Sequence, residues 1–517
     1  MVKRLGSDSF SRGIERFGAA VILVLVLAFL LVLTFSAYTQ TSNVNTNDPS
    51  GEHIDFYSDN IFLNILLLAM FLCALYLFCR HGDGIDLRRM ERLLMLWCFV
   101  LGAGFIASTK LRAPLYSDSH MVTYAAQRAA LGDYAMLAEN YFRRFPFQLG
   151  YVLYSEAFFR VVNPILKGTP DGYKILALQG VNLLWLLLAF HAMIESARLS
   201  FRDARVPRLT MLLMFFSLQP ILSCTFLYGN IPAFACGCVA VWMYLRFADN
   251  GRVGTALLCA LSLTAAVTLK LNLLIFLVAI GAVWLIELCK RPTWRSALCL
   301  VLTVACVLTV SKLPQRFYEK RTEQDFGSGI PMICWMAMGF SDGHAAPGWY
   351  KEDNTVKAFE RNGYDPAATA ADARAVLRER AAYFAKNPAA AMHFFWQKLR
   401  SQWNEPTYES LWINQVQLTY SEKGRLYDFF CGSGARRTAA VMNQLQQLVF
   451  LGSLLGALGL WRGKNIRRCL LPLILLGGLT YHLLFEAKSQ YALPYFVLML
   501  PLAAYGFHRL FKRVELR

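Results

Sequence analysis

The sequence predicts an all-α polytopic membrane protein, and three observations predict it. The chain has 517 residues and is 56% apolar but only 17% charged, where a soluble protein of this length carries nearer a quarter charged residues. Mean hydropathy is +0.38, and the apolar runs recur along most of the chain instead of gathering into one water-excluding core. The formal net charge is +18, with Lys and Arg concentrated in short loops between those runs, as in cytoplasmic loops. That placement removes nucleic acid as the explanation of the basic balance and leaves the lipid bilayer as the expected partner.

The first run, Phe17 to Tyr38, is uncharged and follows Arg12 and Arg16. It is too long for a signal-peptide core and reads as a retained anchor with its N-terminus inside. The loop from Thr39 to Ser58 holds Asp48, Glu52 and Asp55 without Lys or Arg, so it is expected outside. A second span near Ile61–Cys79 returns to a basic loop with Arg80, Arg88, Arg89 and Arg92, and a third near Leu93–Thr109 leads out again. The stretch Phe147–Val162 is short and interrupted by Glu156 and Arg160. If it crossed, the basic loop Arg198–Arg208 would land outside, so it is expected to lie along the outer surface. Further spans are expected near 174–195, 209–227, 231–246, 254–269, 271–288, 296–312, 440–461, 469–485 and 489–508. The total is about twelve crossings with both termini inside.

The run Gly254–Ile286 is apolar except for Lys270 and Asn272. As one helix it would be roughly 50 Å long, against a hydrocarbon core of about 30 Å. It is therefore expected to be a tight hairpin whose turn, with Lys270, sits at or below the outer surface. A lysine there needs a partner or a water-filled cavity. Residues 313–437 form the one long polar segment, with two helices expected at Ala370–Ala385 and Ala389–Trp403, split by Asn387-Pro388. The chain thus divides into an N-terminal two-span unit (1–92), a core with its first outer loop at 110–163 (93–312), an extracytoplasmic segment (313–437) and a three-span unit (438–517).

Thirteen cysteines are present. Most lie in apolar runs, where they act as small hydrophobes, and no CxxC or Cys/His cluster offers a metal site. Cys334 and Cys431 fall in the polar segment and are candidates for pairing in an oxidising compartment.

Four groups of residues could carry chemistry. Tyr116-Ser117-Asp118-Ser119-His120 opens an amphipathic segment at the outer end of the third span. Asp118 there reads either as a helix cap or as a carboxylate general base at the membrane surface. Gly132-Asp133-Tyr134 and Tyr141-Phe142-Arg143-Arg144-Phe145-Pro146 follow. Lys270-Leu271-Asn272 reads either as a snorkelling lysine or as a cation for a phosphate. Glu486-Ala487-Lys488-Ser489-Gln490-Tyr491 could hold a local Glu–Lys pair or address phosphate and sugar hydroxyls. Tyr228-Gly229-Asn230-Ile231-Pro232 is a helix-breaking turn on the same expected face.

In this order the motifs resemble the GT-C fold glycosyltransferases, in the protein O-mannosyltransferase-like branch that includes the lipid A aminoarabinose transferase and rhizobial lipopolysaccharide sugar transferases. The resemblance runs over residues 93–508: Asp118 in the first large outer loop, Gly-Asp-Tyr, Arg-Phe-Pro-Phe-Gln-Leu-Gly before a half-buried helix, the Tyr228 turn, the Lys270 hairpin and Glu-x-x-x-x-Tyr-x-x-Pro before the last span. Ser119 follows Asp118 where the mannosyltransferases carry an acidic pair, and Asn230 stands where relatives often place Asp. The resemblance implies a GT-C-type bundle in the plasma membrane with its active site on the extracytoplasmic face. It implies inverting transfer of a sugar from a polyprenyl-phosphate donor to an extracytoplasmic glycan, lipid or protein, with no cofactor and no catalytic metal. Asp118 would be the base; Lys270, Lys488, Arg143 and Arg144 would hold the donor phosphate; Tyr116, His120, Tyr228, Asn230, Glu486 and Tyr491 would contact substrate. The competing classes are a transporter or lipid or glycan flippase, and a membrane polymerase or ligase of glycans. A transporter often shows internal repeats and mid-span charges; here no repeat is visible, and the polar candidates gather at turns.

Overall fold

The computed structural model describes residues 2–45, 52–110, 115, 117–417 and 423–515. Almost every element is a helix, and the polar segment between the spans is helical too. A long first helix, α1 (Val2–Thr39), runs into a hairpin of β1 (Gln40–Val44) and β2 (Ile54–Ser58), paired antiparallel. Helices α2 (Ile61–His81) and α3 (Leu87–Thr109) follow, each opened by a polar cap: Asn60 accepts from the Leu63 amide and Asp86 from the Arg89 amide. Next come α4 (Ser117–Ala130), α5 (Asn140–Arg144), α6 (Leu149–Ile165), α7 (Asp171–Phe201), α8 (Arg205–Phe215) and α9 (Leu218–Leu222). The middle of the bundle is α10 (Asn230–Asn250), α11 (Val253–Leu269), α12 (Leu274–Lys290) and α13 (Trp294–Val310). The polar segment contributes α14 (Leu313–Thr322), α15 (Met332–Gly339), α16 (Val356–Arg361), α17 (Pro366–Lys386), α18 (Pro388–Trp403), α19 (Ser410–Gln417) and α20 (Arg425–Cys431). The chain closes with α21 (Ala435–Leu460), α22 (Leu470–Leu484) and α23 (Leu493–Glu515).

Among the described residues eight helices are long and apolar enough to cross a membrane: Arg12–Thr39, Ile61–Gly84, Leu87–Thr109, Asp171–Phe201, Asn230–Asn250, Leu271–Lys290, Trp294–Thr322 and Ala435–Leu460. A ninth results if the bent pair Arg205–Phe215 and Leu218–Thr225 is one span. The expectation of an all-α polytopic membrane protein holds at that level, with fewer full-length apolar helices than the twelve crossings expected. Of the other expected spans, α11 has 17 residues, α22 has 15, and α23 starts later and runs into a basic end. The span expected near 209–227 is a pair of helices bent by 53°. Pro220 explains the break: its ring would meet the carbonyl four residues back, at Phe216, and it offers no amide to that turn. Helix α6 is not among the membrane-length apolar helices; its Glu156 is buried, taking a 2.7 Å ion pair from Arg160 and a hydroxyl bond from Tyr318 of α14.

Three features position the candidate site. Helix α1 packs along α21 and α22, with Leu23, Val26 and Leu30 wholly buried, so the N-terminal spans share the core of the rest. The β-hairpin docks on the polar segment: the Ser42 amide donates to the Asn404 carbonyl at 3.1 Å and its hydroxyl to the Arg400 carbonyl at 2.8 Å. Helices α17 and α18 break at Asn387-Pro388 as expected, and α18 carries Lys398, whose Nζ donates to the Gly339 and Phe485 carbonyls at 2.5 and 2.7 Å. That buried lysine pins α15 and the turn after α22 to one another, and burial pushes its pKa down to about 7. Cys334 and Cys431 are both free thiols, each buried in its own helix.

At the opposite end of the bundle two arginines of α8 pair with carboxylates. Arg205 reaches Asp83 at 2.7 Å and Glu515 at 3.0 Å, and Arg208 reaches Asp83 at 3.0 Å. These ties join the ends of α2, α8 and α23.

Candidate active site

The turns that carry the sequence candidates converge on one cavity of about 1560 Å³, between the bundle end and the polar segment. Backbone geometry sets the convergence. The turn before α10 passes through Gly229 at φ 81°, a left-handed conformation open to glycine without a Cβ penalty. A Cβ there would also lie 2.9 Å from the Leu269 carbonyl oxygen. Helix α6 approaches the same corner at Gly150, where a Cβ would fall 1.8 Å from the Thr268 carbonyl oxygen. The Tyr228 turn, the end of α11 and the start of α6 are thereby pressed together around Lys270.

Asp118 sits in the first turn of α4 and lines the cavity. Its Oδ2 accepts a hydrogen bond from the Tyr228 hydroxyl at 3.0 Å. Next to it, the buried Ser119 hydroxyl donates to the Leu227 carbonyl at 3.1 Å, fixing α4 against the same turn. The Tyr228 hydroxyl in turn accepts from Gln148 Nε2. Lys270 lies across the ring of Tyr228, with Nζ 3.7 Å from the centroid, and 5.9 Å from that of Tyr491. Among the described residues no carboxylate comes within 4.0 Å of the Lys270 ammonium.

The last turn is built differently. Lys488 pairs with Glu52, which the β1–β2 connection delivers from the start of the chain. It does not pair with its near neighbour Glu486. Burial opposes the charge on Lys488, but the carboxylates of Glu52, Glu409 and Glu486 outweigh it and raise its pKa. Behind the turn lie Glu405 and Glu409, both fully buried. Tyr408 and Glu409 adopt φ values of 49° and 61°, an unfavourable backbone for non-glycine residues that turns Glu409 into the cluster. Ser489 Oγ is 2.9 Å from Glu405 Oε2 and 3.1 Å from Glu409 Oε1. A hydroxyl has one hydrogen, so both contacts are hydrogen bonds only when one of the two carboxyls is protonated. Burial raises the pKa of both, that of Glu409 to about 8. Burial likewise pushes the cavity-lining Glu486 up to about 7, against the pull of Lys488.

Of the sequence candidates, Asp118, Arg144, Tyr228, Lys270, Glu486, Lys488 and Tyr491 line the cavity. Arg144 does so with its guanidinium paired to Glu360. Arg143 stacks on Tyr364 at 4.2 Å, His120 stacks on Tyr124 at 5.4 Å, and Asn230 donates to Gln490 Oε1 at 3.1 Å; none of the three is part of the lining. Asn230 thus supports the turn that carries Tyr491. Tyr116 lies outside the described residues. Glu52, Gln148, Tyr141 and Tyr350, to which the sequence assigned no role in the site, also line the cavity. Gln148 had a signal, since it stands inside the Arg-Phe-Pro-Phe-Gln-Leu-Gly motif. Among the described residues no group of three or more His, Cys, Asp or Glu is arranged to hold a metal ion.

Residues 212–510, more than half of the chain, match the model of a family described as conserved hypothetical integral membrane protein. No curated protein matches the chain.

Proposed function

The chain belongs to that family of conserved hypothetical integral membrane proteins, and from that premise we propose that it is a glycosyltransferase of the membrane. It takes a sugar from a polyprenyl-phosphate donor and passes it, with inversion, to an extracytoplasmic glycan, lipid or protein acceptor at the plasma membrane. The observation that carries the reading is the meeting of Asp118 and Lys270 at one tyrosine, the first at its hydroxyl and the second over its ring, in a cavity at the bundle end. Transfer from a lipid phosphate needs those two charges. The carboxylate of Asp118 takes the proton of the acceptor hydroxyl as its oxygen bonds to the anomeric carbon. The bond from that carbon to the phosphate oxygen breaks, and polyprenyl phosphate leaves with the electron pair. A phosphate leaving group needs charge stabilisation more than protonation, and the Lys270 ammonium, with no carboxylate within 4.0 Å among the described residues, would supply it. Val267, Leu271, Pro314, Met332 and Trp335 give the same cavity an apolar flank suited to a lipid-borne donor.

Two measurements test the reading. Mass spectrometry of cell-envelope glycans, with and without the protein, should show the loss of one sugar substituent. Asp118→Asn keeps the shape and an accepting oxygen but loses basicity, so turnover should fall by about 10²–10⁴ while the protein still inserts and binds the lipid donor. Turnover within a few-fold of wild type would place the base elsewhere, with Glu486 next to be tried. Unchanged envelope glycans with a redistributed lipid intermediate would favour a flippase instead.

A further inference from the structure

We infer that Tyr228 is a positioning residue that serves both charges of the site at once: its hydroxyl orients the Asp118 carboxylate, and its ring keeps the Lys270 ammonium from pairing with that carboxylate. The inference rests on the transfer reading above and deepens it.

The direction of the hydrogen bonds is fixed by counting donors. Gln148 Nε2 can only donate, so the Tyr228 hydroxyl accepts from it. The hydroxyl's single hydrogen is then committed to Asp118 Oδ2 at 3.0 Å. Tyr228 thereby holds Oδ2, and the buried Tyr141 hydroxyl also lies beside the Asp118 carboxylate. Tyr228 is itself held: it is buried, it abuts Phe226 with ring centroids 5.5 Å apart, and it precedes the left-handed Gly229.

The ring has a separate duty. A lysine and an aspartate sharing one low-dielectric cavity attract strongly, and direct contact would spend both charges on each other. The ammonium would then be unavailable to a phosphate and the carboxylate unavailable as a base. In this site the ammonium instead rests on the electron-rich face of Tyr228 at 3.7 Å, a cation–π seat. A neutral ring partner holds the lysine in place and leaves its charge open to an incoming anion.

Hydroxyl and ring are separable by mutation, so the test has two arms. Purified full-length protein in lipid nanodiscs is titrated with polyprenyl-phosphate-linked hexose and pentose donors for turnover, and with plain polyprenyl phosphate for binding. Tyr228→Phe keeps the ring and removes the hydroxyl. It should lower kcat about ten- to a hundredfold, as expected for losing a hydrogen bond to a charged group, with the donor KM and polyprenyl-phosphate affinity unchanged. In an Asp118→Asn background it should lower kcat no further, because the hydroxyl acts through Asp118. Tyr228→Leu removes the ring as well and should weaken polyprenyl-phosphate binding about tenfold or more, an effect that Phe at this position rescues. A merely structural tyrosine would move kcat and KM together in both variants. Wild-type kcat in Tyr228→Phe, or wild-type lipid-phosphate binding in Tyr228→Leu, overturns the inference. If Asp118→Asn is inactive while Tyr228→Phe is not, the transfer reading stands and the positioning role alone falls. If wild-type protein moves no sugar from any of these donors, the transfer reading fails and the positioning role falls with it.

Discussion

Two lysines stand at turns that line the same cavity, and their surroundings differ in kind. Lys270 faces an aromatic ring and has no carboxylate within ion-pair distance among the described residues. Lys488 is paired to Glu52 and surrounded by the further carboxylates of Glu409 and Glu486. A cation already saturated by carboxylates offers little to an incoming phosphate, because binding would have to break the existing pair. A cation seated on a neutral ring has only that weaker contact to exchange. Residue type and location at a turn therefore do not assign function: on the reading proposed above one lysine receives the anion, while the other braces the first loop to the last hairpin.

The largest expected effect separates the two as stability against binding. Lys488→Ala leaves Glu52 and Glu409 without their cation in a buried setting. Removing one partner of a buried pair costs about 3–5 kcal/mol, so the thermal midpoint should fall sharply. Lys270→Ala breaks no ion pair and should leave the midpoint near wild type. If scanning calorimetry gives the reverse order, the roles of receptor and brace have been exchanged.

Lipid-donor affinity sharpens the same contrast. Loss of a charge-assisted contact costs on the order of 1.5–3 kcal/mol, or roughly ten- to a hundredfold in affinity. Lys270→Ala should lose that much binding to polyprenyl phosphate. A milder substitution at the other turn, Lys488→Arg, keeps the charge beside Glu52 and should bind as wild type. Equal loss in both variants would mean that phosphate recruits both cations.

The bundle was legible in the sequence because apolar runs and loop charges are local signals. The Lys270 hairpin is an example: one lysine and one asparagine in an apolar run that exceeds the bilayer thickness forced a turn there, and α11 and α12 break at that point. Asp118 was legible as a lone carboxylate beside a span end. What the sequence hid is long-range. Glu52 reaches Lys488 across more than four hundred residues, through a β-hairpin whose docking on Asn404 leaves no periodic trace. Glu405 and Glu409 look like ordinary polar-segment acids until the left-handed backbone at 408–409 turns Glu409 inward. Arg143 and Arg144 are adjacent in sequence, yet α5 sends one to Tyr364 and the other to Glu360.

The acid cluster behind Lys488 predicts a pH dependence opposite in sign to that of Lys270, whose pKa burial draws down to about 7. Burial raises Glu409 from an ordinary 4.5 to about 8. The folded state then holds its proton more tightly than the unfolded chain, so this group's contribution to stability is fully present below about pH 4.5. It is lost as the pH rises through about 8. Over that window Glu409 should lower the wild-type thermal midpoint with a slope of at most about 1.4 kcal/mol per pH unit, opposed above about pH 7 by Lys270 and Lys398, whose pKa values burial draws down to about 7. Glu409→Gln removes its titration and should make the decline shallower, leaving the slopes from Glu405 and Glu486, both also raised by burial, the latter to about 7. Midpoints at pH 5.5 and 8 in the two proteins decide it: an equal drop in both would show that Glu409 does not carry its proton in the fold.

The smallest effect is expected at Arg144, which stands between the two lysines in character. It lines the cavity, and a guanidinium is well shaped for phosphate. It is also paired to Glu360, with the two side chains 25% and 37% exposed. An ion pair of that exposure contributes about 0–1 kcal/mol to stability, so Arg144→Ala should barely move the thermal midpoint. Binding is the more telling measurement. If Glu360 keeps Arg144 occupied, as Glu52 keeps Lys488 occupied, Arg144→Ala should change polyprenyl-phosphate affinity by less than about threefold, inside the 1 kcal/mol that such a pair is worth. A weak pair, however, is one that a doubly charged phosphate can win. A tenfold loss in Arg144→Ala, together with tighter lipid-phosphate binding in Glu360→Gln, would show that Glu360 yields the arginine to the lipid phosphate. Lys270 would then act with a second cation from the far wall of the cavity, and the line between receptor and brace would be set by the strength of the competing pair and not by its presence.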